Sequence, residues 1–235
     1  MPSKNLNLPR EKPMEGVITI DGPAGSGKST VSILLAKQLG FFYLDTGAMY
    51  RAVALQAERE GVGPEDGEAL GDLCRNLELR FEEGETGLQL YLEEDDISSA
   101  IRSPEMDMLS STVSAVGEVR EAMTELQRKM GSRGRVVAEG RDMGTVVFPN
   151  AIHKFFLTAS TRVRAERRYR ERIERGENVP LTEVEEDLIK RDEQDSTRNI
   201  APLRPAGDAI IIDTDTMNIE QVIQTIHDAV RMKSL

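Results

Sequence analysis

Five short runs of mainly apolar residues punctuate the chain: Val17–Ile20, Phe41–Leu44, Arg135–Ala138, Ile152–Leu157 and Ala209–Ile212. Each leads directly into polar residues, namely Asp21–Gly22, Asp45–Thr46–Gly47, Glu139–Gly140–Arg141–Asp142, Thr158–Ala159–Ser160 and Asp213–Thr214–Asp215. Between these runs the apolar spacing turns helical. Ser29–Gly40 carries Val31, Leu34, Leu35 and Leu39 on one face, with Gly40 as its expected C-cap, and Ala48–Glu60 reads as a second helix. Strands with no polar face, alternating with helices, predict an α/β fold whose parallel sheet is covered on both sides. Such sheets bind ligands beyond the carboxyl ends of their strands, where the polar residues fall.

One stretch follows a different period. Leu77, Leu79 and Phe81 alternate with Glu78, Arg80 and Glu82, and after Gly84–Gly87 the alternation resumes at Leu88, Leu90 and Leu92. That predicts a β-hairpin with one apolar face near 77–92, inside an insert spanning about 63–110. Residues 1–14 hold Pro2, Pro9 and Pro13 with little apolar pattern, and read as a loose tail.

Composition narrows the class. With 39% hydrophobic and 30% charged residues in 235, the chain has enough apolar material for a core. A formal charge of −11 argues against a general nucleic-acid coat, so no nucleic-acid partner is expected. The single cysteine, Cys74, cannot form an internal disulfide. No apolar run is long enough to span a bilayer, and the first residues lack the apolar stretch of a secretory signal. A cytoplasmic protein without membrane partners is therefore expected, and a monomer.

The strongest chemical signal is Gly22-Pro23-Ala24-Gly25-Ser26-Gly27-Lys28-Ser29, followed by Thr30. It fits G-x-x-x-x-G-K-[ST] and lies directly after a predicted strand, opening a helix. Glycines let backbone N–H groups converge on a phosphate, Lys28 reaches the β- and γ-phosphates, and the Ser29 hydroxyl is placed to ligate Mg²⁺. The helix start adds its positive dipole end. A nucleoside-triphosphate site is predicted over Gly22–Thr30. No N-K-x-D base-reading motif of GTPases occurs, and the length suits a small kinase better than a motor.

Three further clusters point to the same sheet edge: Asp45-Thr-Gly-Ala-Met-Tyr-Arg51, Glu139-Gly-Arg141-Asp142-Met-Gly-Thr-Val-Val-Phe-Pro149, and Arg191-Asp-Glu-Gln-Asp195-Ser-Thr-Arg198-Asn-Ile-Ala-Pro202. With the opening ITIDGPAGSGKST, they resemble in order and spacing the bacterial cytidylate kinases, of the nucleoside-monophosphate kinase group. The resemblance runs from about Val17 nearly to the C-terminus. It implies a three-layer P-loop fold with a central parallel five-stranded sheet, a small β-containing insert and a helical lid. Residues 15–45 and 113–235 would be the core, 46–112 the monophosphate-binding region and 160–180 the lid. The implied reaction is Mg·ATP-dependent phosphoryl transfer to CMP or dCMP.

Residue by residue, the resemblance implies that Arg51, Arg141 and Arg198 hold the acceptor phosphate, with Thr46 nearby. Asp142, Arg120 and Ser111 would read the cytosine, and Asp195 with Arg191 the ribose. Guanidinium groups suit the phosphate because they are planar, bidentate and permanently charged. A carboxylate near N4 and a cation near N3 and O2 match cytosine and mismatch uracil. Residues 162–175 hold seven arginines against three glutamates, from which Arg164 and Arg168 are taken as phosphate contacts. The same residues also fit i, i+4 ion pairs on a solvated helix, as do Arg191 and Asp195. Glu139 stands where related sequences often have Asp. Asp45 and Glu139 are equally eligible as magnesium carboxylates acting through water. Kinases acting on UMP, AMP or shikimate, and an ATP-sensing regulator, are the alternatives.

Overall fold

The computed structural model describes residues 16–84, 87–132 and 134–233. The expected tail over 1–14 and the centre of the hairpin turn lie outside the described residues. Strand β1 (Val17–Asp21) runs at the middle of a five-stranded sheet with β2 (Phe42–Asp45) and, from the second half of the chain, Val136–Gly140, His153–Thr158 and Ile210–Asp213. Numbering the insert's three strands β3 (Leu79–Gly84), β4 (Gly87–Leu92) and β5 (Asp95–Asp96) makes those last three β6, β7 and β8. The order is β2–β6–β1–β7–β8 and every pairing in it is parallel. All five predicted strands are present; the first gains Asp21, and the other four are shifted by one or two residues toward their polar ends.

Side-chain alternation assigns the strands' apolar residues to two cores. Ile18, Ile20, Tyr43, Val137, Phe155, Leu157 and Ile212 pack on one face with Val31 and Leu35 of α1 (Lys28–Leu39). The helix that ends the described chain, Ile219–Lys233, adds Val222, Ile226 and Val230 to this face. On the other face Leu44, Val136 and Ala138 meet α2 (Thr46–Glu60) and the helix Gly117–Gly131 through Met49, Val53, Val119 and Met123. Each face thus loses its apolar surface to helices, which is the dominant stabilising term in such a fold.

The insert holds more helix than its sequence suggested. Leu77 was expected to open the hairpin but instead follows helix α3 (Gly67–Asn76), whose Asp66 side chain accepts the Ala69 N–H. Leu70, Leu73 and Cys74 then bury one face of α3. The hairpin pairs Leu79 with Leu92 and Phe81 with Leu90. Helix α4 (Pro104–Val113) leads back to the core, where Gly117–Gly131 is α5. Helix α2 begins at Thr46 rather than at the predicted Ala48, because Asp45 Oδ1 accepts the Ala48 N–H at 2.8 Å. Region 46–112 shares one continuous core with the sheet.

The second half supplies α6 (Thr161–Glu174), α7 (Leu181–Thr197) and, as the last helix, α8 (Ile219–Lys233). Between β6 and β7 a π-turn spans Met143–Val147, with Phe148 N–H donating to the Met143 carbonyl at 2.7 Å. Asp21, at the end of β1, anchors this turn. Its two carboxylate oxygens accept the Met143 and Gly144 N–H groups, each at 2.8 Å. Burial pushes the Asp21 carboxyl up to about 7, and nearby Asp142 adds to the shift against the lowering effect of the two N–H bonds.

The folded carboxyl titrates above its ordinary value, so the native state holds a proton that the unfolded chain has lost between about pH 4 and 7. Stability contributed here is therefore lost as pH rises through that window, at up to about 1.4 kcal/mol per pH unit. Asp21→Asn is expected to flatten the dependence of unfolding free energy on pH between 4 and 7 by that slope, measured by urea denaturation. An unchanged slope would place the Asp21 titration elsewhere.

Candidate active site

At the carboxyl edge of the sheet, a cleft of about 610 Å³ gathers the loop after β1, the start of α2, the serines of α4, the end of β6 and arginines of α6 and α7. Nine cationic side chains and six carboxylates line it, so the cleft is net positive in a protein of charge −11. Its volume lies within the usual range for small-molecule sites.

The loop Gly22–Gly27 runs from β1 to α1 as its spacing predicted. Gly22 is required by close approach: a Cβ there would lie 2.1 Å from the Leu157 carbonyl oxygen. Gly25 has φ +74°, and a Cβ there would lie 3.0 Å from the Arg164 carbonyl oxygen, so a side chain would meet both conformational and steric strain. Lys28 Nζ donates to the Pro23 carbonyl at 3.1 Å. Burial, with Arg141 close by, lowers the Lys28 ammonium from its ordinary value. Ser29 Oγ donates to Glu139 Oε1 at 2.8 Å, while Glu139 Oε2 is buried with no hydrogen-bond partner among the described residues. Burial and the neighbouring Asp45 raise the Glu139 carboxyl. Thr46 Oγ1 donates to the Glu139 carbonyl at 2.6 Å, which ties the start of α2 to β6.

Opposite the loop, the predicted arginines and carboxylates interlock. Asp142 and Arg120 form a buried ion pair, and Arg120 also donates to the Ser114 carbonyl at 3.2 Å and lies over the Tyr50 ring. Arg198 Nη2 is 3.7 Å from Asp142 and its Nη1 3.7 Å from Asp195. Its Nε donates to the carbonyl of Ala201, a residue held at φ +50°. Arg141 Nε donates to Asp195 Oδ2 at 2.8 Å. Burial disfavours the Asp195 charge, yet Arg141 and Arg191 hold its carboxyl below the usual range. Arg191 itself reaches Asp107 rather than pairing with Asp195 along α7. Burial and Arg141 lower the Arg191 guanidinium, and burial and Arg120 lower that of Arg198. Ser111 Oγ donates to Gln194 at 3.0 Å, and Ser110 and Ser114 line the same wall.

Helix α6 corrects one expectation. Arg164 is buried and fully engaged in structure: it donates to the Ala159 and Ala24 carbonyls and to Thr161, and pairs with Asp192 at 2.6 Å. It clamps α6 to the glycine-rich loop and does not line the cleft. Arg167, Arg168 and Arg170 do line it. Arg167 donates to the Thr214 hydroxyl and carbonyl at 3.0 and 2.7 Å, and Thr214 in turn donates to the Ser26 carbonyl. The i, i+4 pairing that this stretch also allowed occurs at Glu166, while Arg168 pairs otherwise. Arg162 and Arg170 meet Glu166, and Arg168 meets Glu171 and Asp107. Asp107 and Thr214 had no signal in the sequence that would single them out.

The sequence comparisons decide which kinase family carries this cleft. The cytidylate kinase family model matches residues 18–232. The chain belongs to the cytidylate kinase family. The cytidylate kinase of Citrifermentans bemidjiense is 49% identical over 216 residues, covering 92% of each chain. That of Syntrophotalea carbinolica is 50% identical over 208 residues, covering 88% of each. The cytidylate kinase of Carboxydothermus hydrogenoformans is 47% identical over 217 residues, covering 92% of this chain and 98% of that protein. The cytidylate kinase assignment spans core, insert and α6 alike. No helix among the described residues is long and apolar enough to cross a membrane.

In this member of the cytidylate kinase family, the buried Arg120–Asp142 pair supports the fold as well as the cleft. Arg120→Met leaves the Asp142 carboxylate, among the described residues, with the more distant Arg198, and is expected to cost about 3–5 kcal/mol. The double variant Arg120→Met/Asp142→Asn should cost clearly less than the sum of the single changes, read from urea unfolding. Additive costs would mean that the two groups do not interact energetically.

Proposed function

We propose that this chain transfers the γ-phosphoryl group of ATP to CMP or dCMP, giving ADP and CDP or dCDP. The observation that carries the reading is the Asp142–Arg120 pair, buried in the wall of one cleft that also holds Lys28, Arg141 and Arg198. The donor triphosphate is taken by the backbone of Gly22–Thr30 with Lys28. Its base is accommodated toward Met217, Ile219 and Val222, which give the cleft an apolar end beside α1. The acceptor enters from the Ser111, Arg120 and Asp142 side.

The acceptor's phosphate oxygen is the nucleophile and is already anionic near neutral pH, so no general base is needed. The protein's task is alignment and charge neutralisation. Arg51, Arg141 and Arg198 approach from α2, β6 and the end of α7, so they grip a phosphate from several directions. Buried N–H donors with no hydrogen-bond partner among the described residues, Arg51 Nε, Arg191 Nε and Arg198 Nη2, support an anionic ligand. Asp195 and Arg191 serve the ribose. Arg167, Arg168 and Arg170 bring further charge from α6, and closure of this helix over the donor excludes water that would otherwise hydrolyse ATP.

The donor set fits magnesium. Ser29 Oγ would hold the ion and Asp45 or Glu139 would act through water, hard oxygen donors suited to Mg²⁺, which keeps several of its waters. Bound with ATP, the ion supplies charge neutralisation at the β- and γ-phosphates. Glu139 orients Ser29 for this role.

For the base, the Asp142 carboxylate accepts from the cytosine amino group while Arg120 donates to N3 and O2. Uracil presents its acceptor to Asp142 and so leaves buried groups mispaired. ADP release with Mg·ATP is expected to be fast with CMP and dCMP, and slow with UMP, AMP or no acceptor. Asp142→Asn is expected to reduce the CMP-over-UMP ratio of kcat/KM by roughly fivefold to 150-fold, about 1–3 kcal/mol. Arg141→Met should lower kcat by roughly 10²–10³. Equal turnover of CMP and UMP by the native chain would overturn the base-reading account, and acceptor-independent ADP release alone would overturn the kinase reading.

A further inference from the structure

Asp107, in the first turn of α4, is met by guanidinium groups from three other helices. Arg168 of α6 hydrogen-bonds its Oδ2. Arg51 of α2 and Arg191 of α7 each approach its Oδ1 at 3.7 Å. These contacts are unequal. The first is a direct charge-assisted bond, whereas the other two exceed hydrogen-bond length, and Nε of both Arg51 and Arg191 is buried with no hydrogen-bond partner among the described residues. Arg51 is shared with Asp45 at 3.8 Å, and Arg168 with Glu171 at 2.9 Å. Asp107 is therefore a single negative charge serving three cations that it satisfies only in part, in the wall of the substrate cleft.

A phosphate monoester carries about two charges on three oxygens and meets the same donors better than a carboxylate does. From this we infer that Asp107 is an internal stand-in for the charge of the incoming acceptor: it gathers Arg51, Arg168 and Arg191, holds α6 against α4 through Arg168, and gives them up when the acceptor arrives, Arg51 to its phosphate, Arg191 to its ribose and Arg168 to the phosphoryl group between donor and acceptor. The inference rests on the acceptor reading proposed above, with Arg51 at the acceptor phosphate, and adds a competitor and a latch to it. Asp107 touches no reacting atom, so it is a positioning residue that sets acceptor affinity.

Removing its charge while keeping its shape takes away the competitor. With Mg·ADP saturating the glycine-rich loop, inorganic phosphate is expected to bind Asp107→Asn about tenfold more tightly than the native chain in calorimetric titration. KM for CMP should fall by a similar factor. In the absence of nucleotides, amides of 161–174 should exchange hydrogen faster in the variant, and phosphate should restore their protection. Asp107→Ala provides a second variant should Asp107→Asn fold poorly, and is expected to act in the same direction. Unchanged or weaker phosphate binding in both variants, or unchanged exchange in α6, would overturn the inference. Phosphate binding is read without turnover, so it is independent of the kinase reading, which fails only if the native chain shows no CMP-dependent ADP release.

Discussion

A guanidinium group inside a protein cannot shed its proton to escape the cost of burial, so each buried arginine of this cleft must be given a carboxylate. That requirement organises the functional half of the molecule. Arg120 on α5, Arg141 after β6, and Arg191 and Arg198 at the end of α7 and just past it come together only because Asp142, Asp195 and Asp107 stand among them. The three carboxylates lie on different elements, so the ion pairs fix the relative placement of α4, α5, α7 and the sheet edge. Neutralisation is incomplete. Burial and mutual repulsion lower Arg191 and Arg198. The residual positive field is what recommends the cleft for phosphates.

The charge network is fastened to the most buried part of the sheet. Asp21, on the central strand, takes both N–H groups at the head of the π-turn, and that turn begins one residue after Asp142. Insertion of one extra residue per turn is the usual way a helix re-aims a functional side chain. Here it directs Arg141 and Asp142 into the cleft while Met143 and Val147 return to the core. Burial pushes this carboxyl up to about 7 in spite of the two N–H bonds it accepts, so the turn is held at an electrostatic cost whenever the carboxyl is ionised.

What the sequence disclosed follows from how local each signal is. The five strands of the sheet were legible because runs apolar on both faces are distinctive, and the glycine-rich loop because its spacing is contiguous. The Arg141, Asp142, Asp195 and Arg198 constellation was legible through family resemblance rather than through periodicity. Helix α3 was missed, since only Leu70, Leu73 and Cys74 mark its buried face among polar residues. Asp107 and Thr214 matter only through neighbours more than forty residues away in the chain, Arg168 for one and Arg167 for the other. Choosing among the arginines of α6 required knowing which face meets the loop. Arg164, Arg167 and Arg168 share that face, but Arg164 lies one turn closer to the loop and is consumed there by the Ala24 carbonyl.

The same substitution of weaker oxygen partners recurs across the cleft. Lys28 rests on the Pro23 carbonyl, Ser29 on the Glu139 carboxylate, and Arg168 on Asp107. Each partner is a neutral carbonyl or a singly charged carboxylate, and each donor is one that a polyphosphate or phosphate monoester engages more strongly. Binding in such a site exchanges hydrogen bonds instead of creating them, so the donors stay near their working positions and little ordering entropy is lost when substrate enters. The exchange also discriminates. A singly charged ligand offers such donors no more charge than Glu139 or Asp107 does, whereas one with two or more charges offers more than any single internal partner. Glu139 illustrates the balance: Oε1 takes the Ser29 hydroxyl, while Oε2 has no hydrogen-bond partner among the described residues.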